Sequence, residues 1–265
     1  MPEASTIAGI AETIAAARLA RSPLPSPPTG SGPGDVGAAY AVQGAVHHLL
    51  ADSRFGERTG WKIGCTTPVM QEYLGIDHPC AAGLFGGSTH ASGATLRHGD
   101  FVRVGVECEI AVRLARDLVE VNPTAASTRQ AVGAVMAAIE IVDDRYVDWQ
   151  TIGTPMLIAD DFFAAGCVLS TELAPRELPD LASLRGRTLI DGVEAGTGQG
   201  ADVLGHPYAA LAWLAAHAVA RGQPLRAGEV VLLGSLVKTQ WVPAGAAVKV
   251  EIEALGSVEV HFSKD

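Results

Sequence analysis

Residues 101–114 alternate with a period of two. Val102, Val104, Val106, Cys108, Ile110, Val112 and Leu114 are apolar, and Arg103, Gly105, Glu107, Glu109, Ala111 and Arg113 fill the intervening positions. Successive side chains of a strand leave opposite faces, so the pattern predicts one long strand with one face against a core. Around it the order of elements is uneven. Apolar residues at helical spacing (Ile7, Ile10, Ile14, Leu19) predict a helix over 5–21, and Tyr40, Val42, Val46 and Leu50 predict a second over Val36–Ala51. The Pro-, Gly- and Ser-rich stretch 22–34 between them reads as a loop. Further on, the chain reads as a strand over 60–65, a short helix over Pro68–Leu74, an irregular stretch over 75–87, and a helix over 127–137 running into a strand over 138–142. A loop over 149–155, strands near Cys167 and over 188–193, a helix over Pro207–Ala220, and strands over 229–233, 247–253 and 257–262 complete the reading. Helices come early and strands late, without regular βαβ alternation. That order predicts an α+β fold with a mixed sheet, rolled or sandwiched, in which a helical segment 1–58 packs on a core 59–265 as one unit.

Composition narrows the function classes. Hydrophobic residues make up 48% of the 265 and charged residues 18%, enough apolar material for a sizeable core. Acidic residues outnumber basic ones 29 to 19, for a net charge of -10, whereas a nucleic-acid binder needs Lys and Arg to neutralise phosphates. Aromatic residues are only 5%, too few for a base-stacking surface. The basic clusters of a membrane-surface protein are missing, as are a signal-like N-terminus and an uninterrupted apolar span, so a cytoplasmic protein is expected. Cys65, Cys80, Cys108 and Cys167 have no C-x-x-C spacing and read as free thiols.

Chemistry concentrates on three glutamates. Glu107 and Glu109, two apart on the predicted strand, leave the same face, where their like charges repel. For an isolated E-x-E the ordinary reading is a solvated polar face. Glu140 lies inside the apolar run 137–142, where a lone carboxylate is costly without a compensating cation. Residue chemistry leaves two readings level: a divalent metal site, oxygen-rich and suited to Mg²⁺ or Mn²⁺, or a salt bridge from Glu140 to Arg145 or Arg103. Lys62, between Gly60 and Gly64 on an apolar strand, is a candidate acid or base, against the commoner reading of a lysine snorkelling to water. Asp77 by itself reads as a turn residue. The pattern Gly196-x-Gly198-x-x-Ala201 lacks a surrounding βαβ unit and reads as a loop, not a dinucleotide site. Among the eight histidines, His47 and His48 read as surface positions and His206 as a helix start.

Taken in order, G-W-K-I-G-C-T (60–66), L-G-I-D-H-P (74–79), E-C-E (107–109), A-I-E-I-V-D-D-R (138–145), G-H-P (205–207) and L-L-G-S-L-V (232–237) resemble the 2-keto-4-pentenoate hydratase and 4-oxalocrotonate decarboxylase branch of the fumarylacetoacetate hydrolase superfamily. The resemblance runs from about Tyr40 to the end of the chain. It implies a C-terminal β-roll with a small N-terminal α/β subdomain, metal ligands at Glu107, Glu109 and Glu140, a catalytic lysine at Lys62, and Asp77 near the substrate. It also implies oligomeric assembly, with itself or with a related lyase subunit. Many relatives carry Ser at the position of Asp144 and Asn at that of Asp161, so this chain adds negative charge at both. Arg145 and Lys238 are the candidates to bind a second substrate carboxylate. The leading functional expectation is a metal-dependent hydratase of a 2-hydroxy-dienoate in aromatic catabolism. A decarboxylase of 4-oxalocrotonate type is the runner-up, and a non-catalytic small-acid-binding or partner subunit comes third.

Overall fold

A computed structural model describes residues 4–24 and 31–264. Two N-terminal helices, α1 (Ala4–Ala20) and α2 (Val36–Ala51), pack together, and the Asp35 side chain caps α2 by accepting from the Ala38 N–H. Residues 25–30 of the expected loop lie outside the described residues. In chain order there follow β1 (Arg58–Gly64), α3 (Pro68–Leu74), β2 (Cys80–Phe85), β3 (Thr89–Ala91), β4 (Ala94–Arg97) and β5 (Val104–Leu114). Next come α4 (Ala125–Arg129), β6 (Val132–Asp143), α5 (Thr154–Ala159), β7 (Ala164–Leu169), β8 (Arg185–Ile190) and β9 (Val193–Gln199). The chain closes with α6 (Pro207–Ala220), β10 (Val230–Trp241), β11 (Ala247–Ile252) and β12 (Gly256–Ser263).

The strands form two sheets, one of seven in the order β2-β1-β10-β5-β6-β7-β3 and one of five in the order β4-β12-β11-β8-β9. Pairing is mostly antiparallel, with β1/β10, β3/β7 and β4/β12 parallel, which is the mixed α+β arrangement expected. Val106, Cys108, Ile110 and Val112 of β5 belong to the main core, where the two sheets meet. The other face of β5 is buried as well. Ala111, Met136, Ala138, Leu232 and Leu84 form a smaller apolar cluster there, so β5 alternates between two interiors rather than between core and water. The apolar helix α6 packs against β10 and α4. Its 14 residues span about 21 Å at 1.5 Å each, short of a ~30 Å hydrocarbon core, and its Leu211 and Leu214 are buried.

Three local expectations are corrected. Residues 80–85 form a strand, because Cys80-Ala81-Ala82-Gly83-Leu84-Phe85 is buried on both faces and carries no alternation to read. The helix over 127–137 stops at Arg129, and the strand begins at Val132; pairing with β5 on one side and β7 on the other overrides the helical preference of its alanines. The glycine-rich 193–199 is strand β9 rather than a loop. A side chain at Gly198 would stand 1.7 Å from the Leu236 carbonyl oxygen, so the glycine permits β9 to cross close over β10.

Between α5 and β7 the backbone makes an unusual turn. Asp161, Phe162 and Phe163 have φ of 56°, 50° and 67°, three consecutive non-glycine residues in the left-handed region. Each such residue costs roughly 1–2 kcal/mol, so the surroundings must hold the turn in place.

Candidate active site

Strand register gathers the site. Glu107 lies directly opposite Glu140 across the β5/β6 pair, and Glu109, opposite Ala138, is one step diagonal on the same face. From β1, Lys62 pairs with Leu232 and Leu232 with Ala111, which brings the lysine to that face too. One carboxylate oxygen from each glutamate lies within 4.8 Å of the others, an arrangement that could hold a metal ion.

The site is largely buried, with Glu107 partly exposed, and short of hydrogen-bond donors. Glu109 is 0% exposed, Glu140 1% and Lys62 4%. Glu109 accepts the Gly234 N–H on Oε2 at 2.8 Å, but its Oε1 and both oxygens of Glu140 have no hydrogen-bond partner. Lys62 Nζ stands 3.1 Å from Glu140 Oε1, an ion-pair approach without hydrogen-bond angles, and donates to the Phe162 carbonyl oxygen at 2.8 Å. Glu107 accepts from the Thr239 hydroxyl. Burial, then the Glu140 charge, push the Glu107 carboxyl up to about 7, although Lys62, Thr239 and Ser235 pull the other way. Glu109 is raised well above the ordinary range, first by burial and then by Glu140 and Glu107. For Lys62, burial works against the ammonium, but the charges of Glu140 and Glu107 outweigh it and hold the pKa above that of an ordinary lysine. Buried carboxyl oxygens normally have partners. Three that accept no hydrogen bond among the described residues, on glutamates clustered beside a single lysine, fit an oxygen-liganded divalent cation.

Some of the supporting residues carried no sequence signal. Strand β10 pairs with β5 through shifts of register between Leu232 and Gln240, and these bulges deliver the Gly234 N–H and the Thr239 hydroxyl to the carboxylates. Gly234, at φ 122°, presses against Thr66: a Cβ there would stand 2.7 Å from the threonine methyl. The segment 232–237 was legible as a motif, but its bulges were not.

Other candidates fall elsewhere. Arg145 is corrected as a substrate anchor and as the partner of Glu140. Its guanidinium has five N–H donors. These are engaged by Asp160 Oδ2 (3.1 and 3.0 Å) and by the carbonyls of Asp160 (2.9 Å), Ala164 (3.1 Å) and Phe163 (3.4 Å). Arg103 pairs with Asp144 at 3.4 Å, so neither arginine neutralises Glu140; Lys62 is the partner. Asp161 does not add free charge to the carboxylates. It is fully buried and accepts from Arg18 (2.7 Å), His47 (2.7 Å) and the Gly83 N–H (2.9 Å). His47 is therefore an interior partner rather than a surface residue. Asp77 and Lys238 are exposed, and neither forms an ion pair among the described residues. His206 does start a helix, accepting from the Tyr208 N–H as the cap of α6.

Two packed mixed sheets with a buried carboxylate cluster facing a lysine define a class of fold and site, and comparison with known proteins places it. The model of the fumarylacetoacetate hydrolase C-terminal family matches residues 83–263. A 2-keto-4-pentenoate hydratase of Burkholderia vietnamiensis (strain G4 / LMG 22486) is 37% identical over 232 residues, 87% of each chain. A 2-hydroxyhexa-2,4-dienoate hydratase of Comamonas testosteroni is 32% identical over 229 residues, 85% of this chain and 86% of that one. The solved 4-oxalocrotonate decarboxylase from Pseudomonas putida G7, complexed with magnesium and adipate, superimposes over 99% of both chains with a TM-score of 0.92 at 23% identity. The chain belongs to the fumarylacetoacetate hydrolase family.

Proposed function

We propose that this protein is a Mg²⁺-dependent hydratase that adds water to a short 2-hydroxy-dienoate, with Mn²⁺ as an alternative ion. The observation that carries the reading is the cluster of Glu107, Glu109 and Glu140, with three carboxylate oxygens that accept no hydrogen bond and Lys62 3.1 Å from Glu140. Relatives named as hydratases of 2-keto-4-pentenoate and 2-hydroxyhexa-2,4-dienoate support the substrate class. In this reading the three glutamates hold the metal and Lys62 carries protons. Asp77 and Lys238 are kept as substrate contacts, the segments 1–58 and 59–265 act as one unit, and the chain assembles as a homo-oligomer.

Bound there, a divalent cation would act as a Lewis acid toward the carboxylate and C2 oxygen of a 2-oxo acid, taking up the negative charge of its enolate. The rest falls to the chain. An ammonium has three N–H donors. Phe162 O takes one from Lys62 and Glu140 stands beside the group, which leaves a donor for the substrate. In the dienol, the proton lost from the C2 hydroxyl is balanced by one gained at C5, giving a 2-oxo-3-enoate with an electrophilic C4. Water then adds at C4 and a proton arrives at C3. The transfer at the C2 oxygen is assigned to Lys62, the ammonium that stands beside the carboxylates.

The test is the ultraviolet absorbance of 2-hydroxypenta-2,4-dienoate mixed with metal-loaded protein. Loss of the dienoate band, abolished by chelation and in Glu109→Ala, supports the assignment; an unchanged band refutes it. Release of carbon dioxide from 4-oxalocrotonate without hydration would move the assignment to a decarboxylase of the same family. Calorimetric binding of 2-oxo acids without turnover across a substrate panel would move it to a binding subunit.

A further inference from the structure

The left-handed turn Asp161–Phe163 is the most strained backbone near the site, and one of its carbonyls touches the proposed proton carrier. Phe162 sits at φ 50° and ψ 56°, and its oxygen accepts from Lys62 Nζ at 2.8 Å. Strain of this kind persists only where the surroundings fix it. Arg145 holds the flanking carbonyls of Asp160 and Phe163, and the Asp161 side chain ties the turn to β2 and to both N-terminal helices. Asp161 Oδ1 accepts from the Gly83 N–H of β2 and from His47 of α2, and Oδ2 accepts from Arg18 of α1, each within 2.9 Å. Arg18 and His47 come from helices outside the sheet that carries the carboxylates. Gly83 itself must be a glycine, since a Cβ there would lie 2.7 Å from the His47 ring. None of these anchors ligates the carboxylate cluster.

We propose that Asp161 is a positioning residue, which holds the left-handed turn so that the Phe162 carbonyl fixes the Lys62 ammonium at the carboxylate site. The inference rests on the assignment of Lys62 as proton carrier. It gives the acceptor oxygens of this side chain a role in the site rather than only in the core. It also couples the N-terminal helices to catalysis: Arg18 and His47 reach the lysine only through Asp161 and the adjoining peptide. A misplaced proton carrier slows chemistry without loosening substrate, so the expected signature is in kcat and not in KM.

The experiment compares metal-loaded wild type, Asp161→Ala, Asp161→Asn, Arg18→Met and Lys62→Met in the dienoate assay, with Mn²⁺ affinity measured by calorimetry. Lys62→Met tests the underlying assignment and is expected to lose more than a thousandfold in kcat; wild-type turnover there removes the lysine assignment itself. Asp161→Ala is expected to lose ten- to a hundredfold in kcat, with KM within threefold and Mn²⁺ affinity within twofold of wild type. Asp161→Asn, which keeps an acceptor for Gly83 and His47, should recover most of that loss. If Asp161→Ala does not fold, Arg18→Met decides, because it leaves Asp161 on two of its three partners; a five- to tenfold fall in kcat alone is expected. With Lys62→Met inactive, wild-type kcat in folded Asp161→Ala or Arg18→Met overturns the positioning role and leaves the lysine assignment standing. A fall in Mn²⁺ affinity that matches the fall in kcat overturns it too, since that marks general collapse of the site.

Discussion

Two buried acidic groups lie on either side of Lys62 and Phe162, and they are built on opposite plans. On the sheet face, Glu107, Glu109 and Glu140 share one lysine, and three of their oxygens accept nothing. At the helix side, Asp160 and Asp161 meet Arg18, Arg145 and His47, and Tyr146 adds a hydroxyl donor to Asp160. The titrations separate accordingly. Burial and like charge raise Glu107 and Glu109. For Asp161, burial is outweighed by His47, Arg18 and the Gly83 N–H, and the carboxyl falls well below its ordinary value. Burial of an acid is therefore not what marks a ligand. Asp160 Oδ1 also accepts nothing, but it stands 3.9 Å from Arg18 on a carboxylate that Arg145 and Tyr146 hold. What marks the glutamates is several such oxygens sharing a single lysine.

The sharpest way to break this comparison is to delete one acid from each group. Glu109→Ala should lower metal-dependent turnover of the dienoate by more than a thousandfold, read in the absorbance assay; activity within tenfold of wild type would remove Glu109 from the ligand set. Asp161→Ala should destabilise the protein by about 3–5 kcal/mol in denaturant unfolding, because buried Arg18 loses its 2.7 Å partner and keeps only Asp160 Oδ1 at 3.9 Å. Metal addition should stabilise only through the glutamates: about 2.7 kcal/mol at a hundred times Kd for wild type, and nothing for Glu109→Ala. In metal-free protein at pH 8, Glu109→Gln should raise stability by ~1–2 kcal/mol, since it relieves like charge and keeps an acceptor for Gly234. A loss of stability there would mean that the glutamates are already compensated.

The smallest effect is in pH. Asp161 has a lower pKa folded than unfolded, so at acid pH the unfolded chain binds the extra proton. Its contribution is complete above about pH 4, the unfolded value, and is lost as pH falls below that toward the folded one. Arg18, His47 and the Gly83 N–H are the groups that face it. Asp161→Asn should therefore flatten the acid limb of the melting temperature against pH below pH 4, and an unchanged limb would show that the ion pairs do not stabilise the fold.

Much of the sheet face was legible in the sequence, and little of the helix side was. Period-two alternation placed Glu107 and Glu109 together, and an apolar run singled out Glu140, because both are local patterns. Lys62 stood out for the same reason. Asp161, by contrast, meets Arg18 across 143 residues and His47 across 114, separations at which no spacing rule applies. Arg145, five residues beyond Glu140 in the chain, looked like its partner, but the strand ends at Asp143 and the arginine turns to Asp160. The contributions of Gly234 and Thr239 were hidden by bulges, which undo the parity that a strand pattern relies on.

The buried grip on Asp161 also bears on how the chain can be divided. The family match begins at residue 83 and takes in all three glutamates. Lys62, Arg18 and His47 all lie before it. A fragment cut at that boundary and grafted elsewhere would bring the carboxylates without the lysine, and the strained turn without the Arg18 and His47 side chains that hold it. Transplanting this chemistry would mean moving the first two helices and β1 together with the sheet.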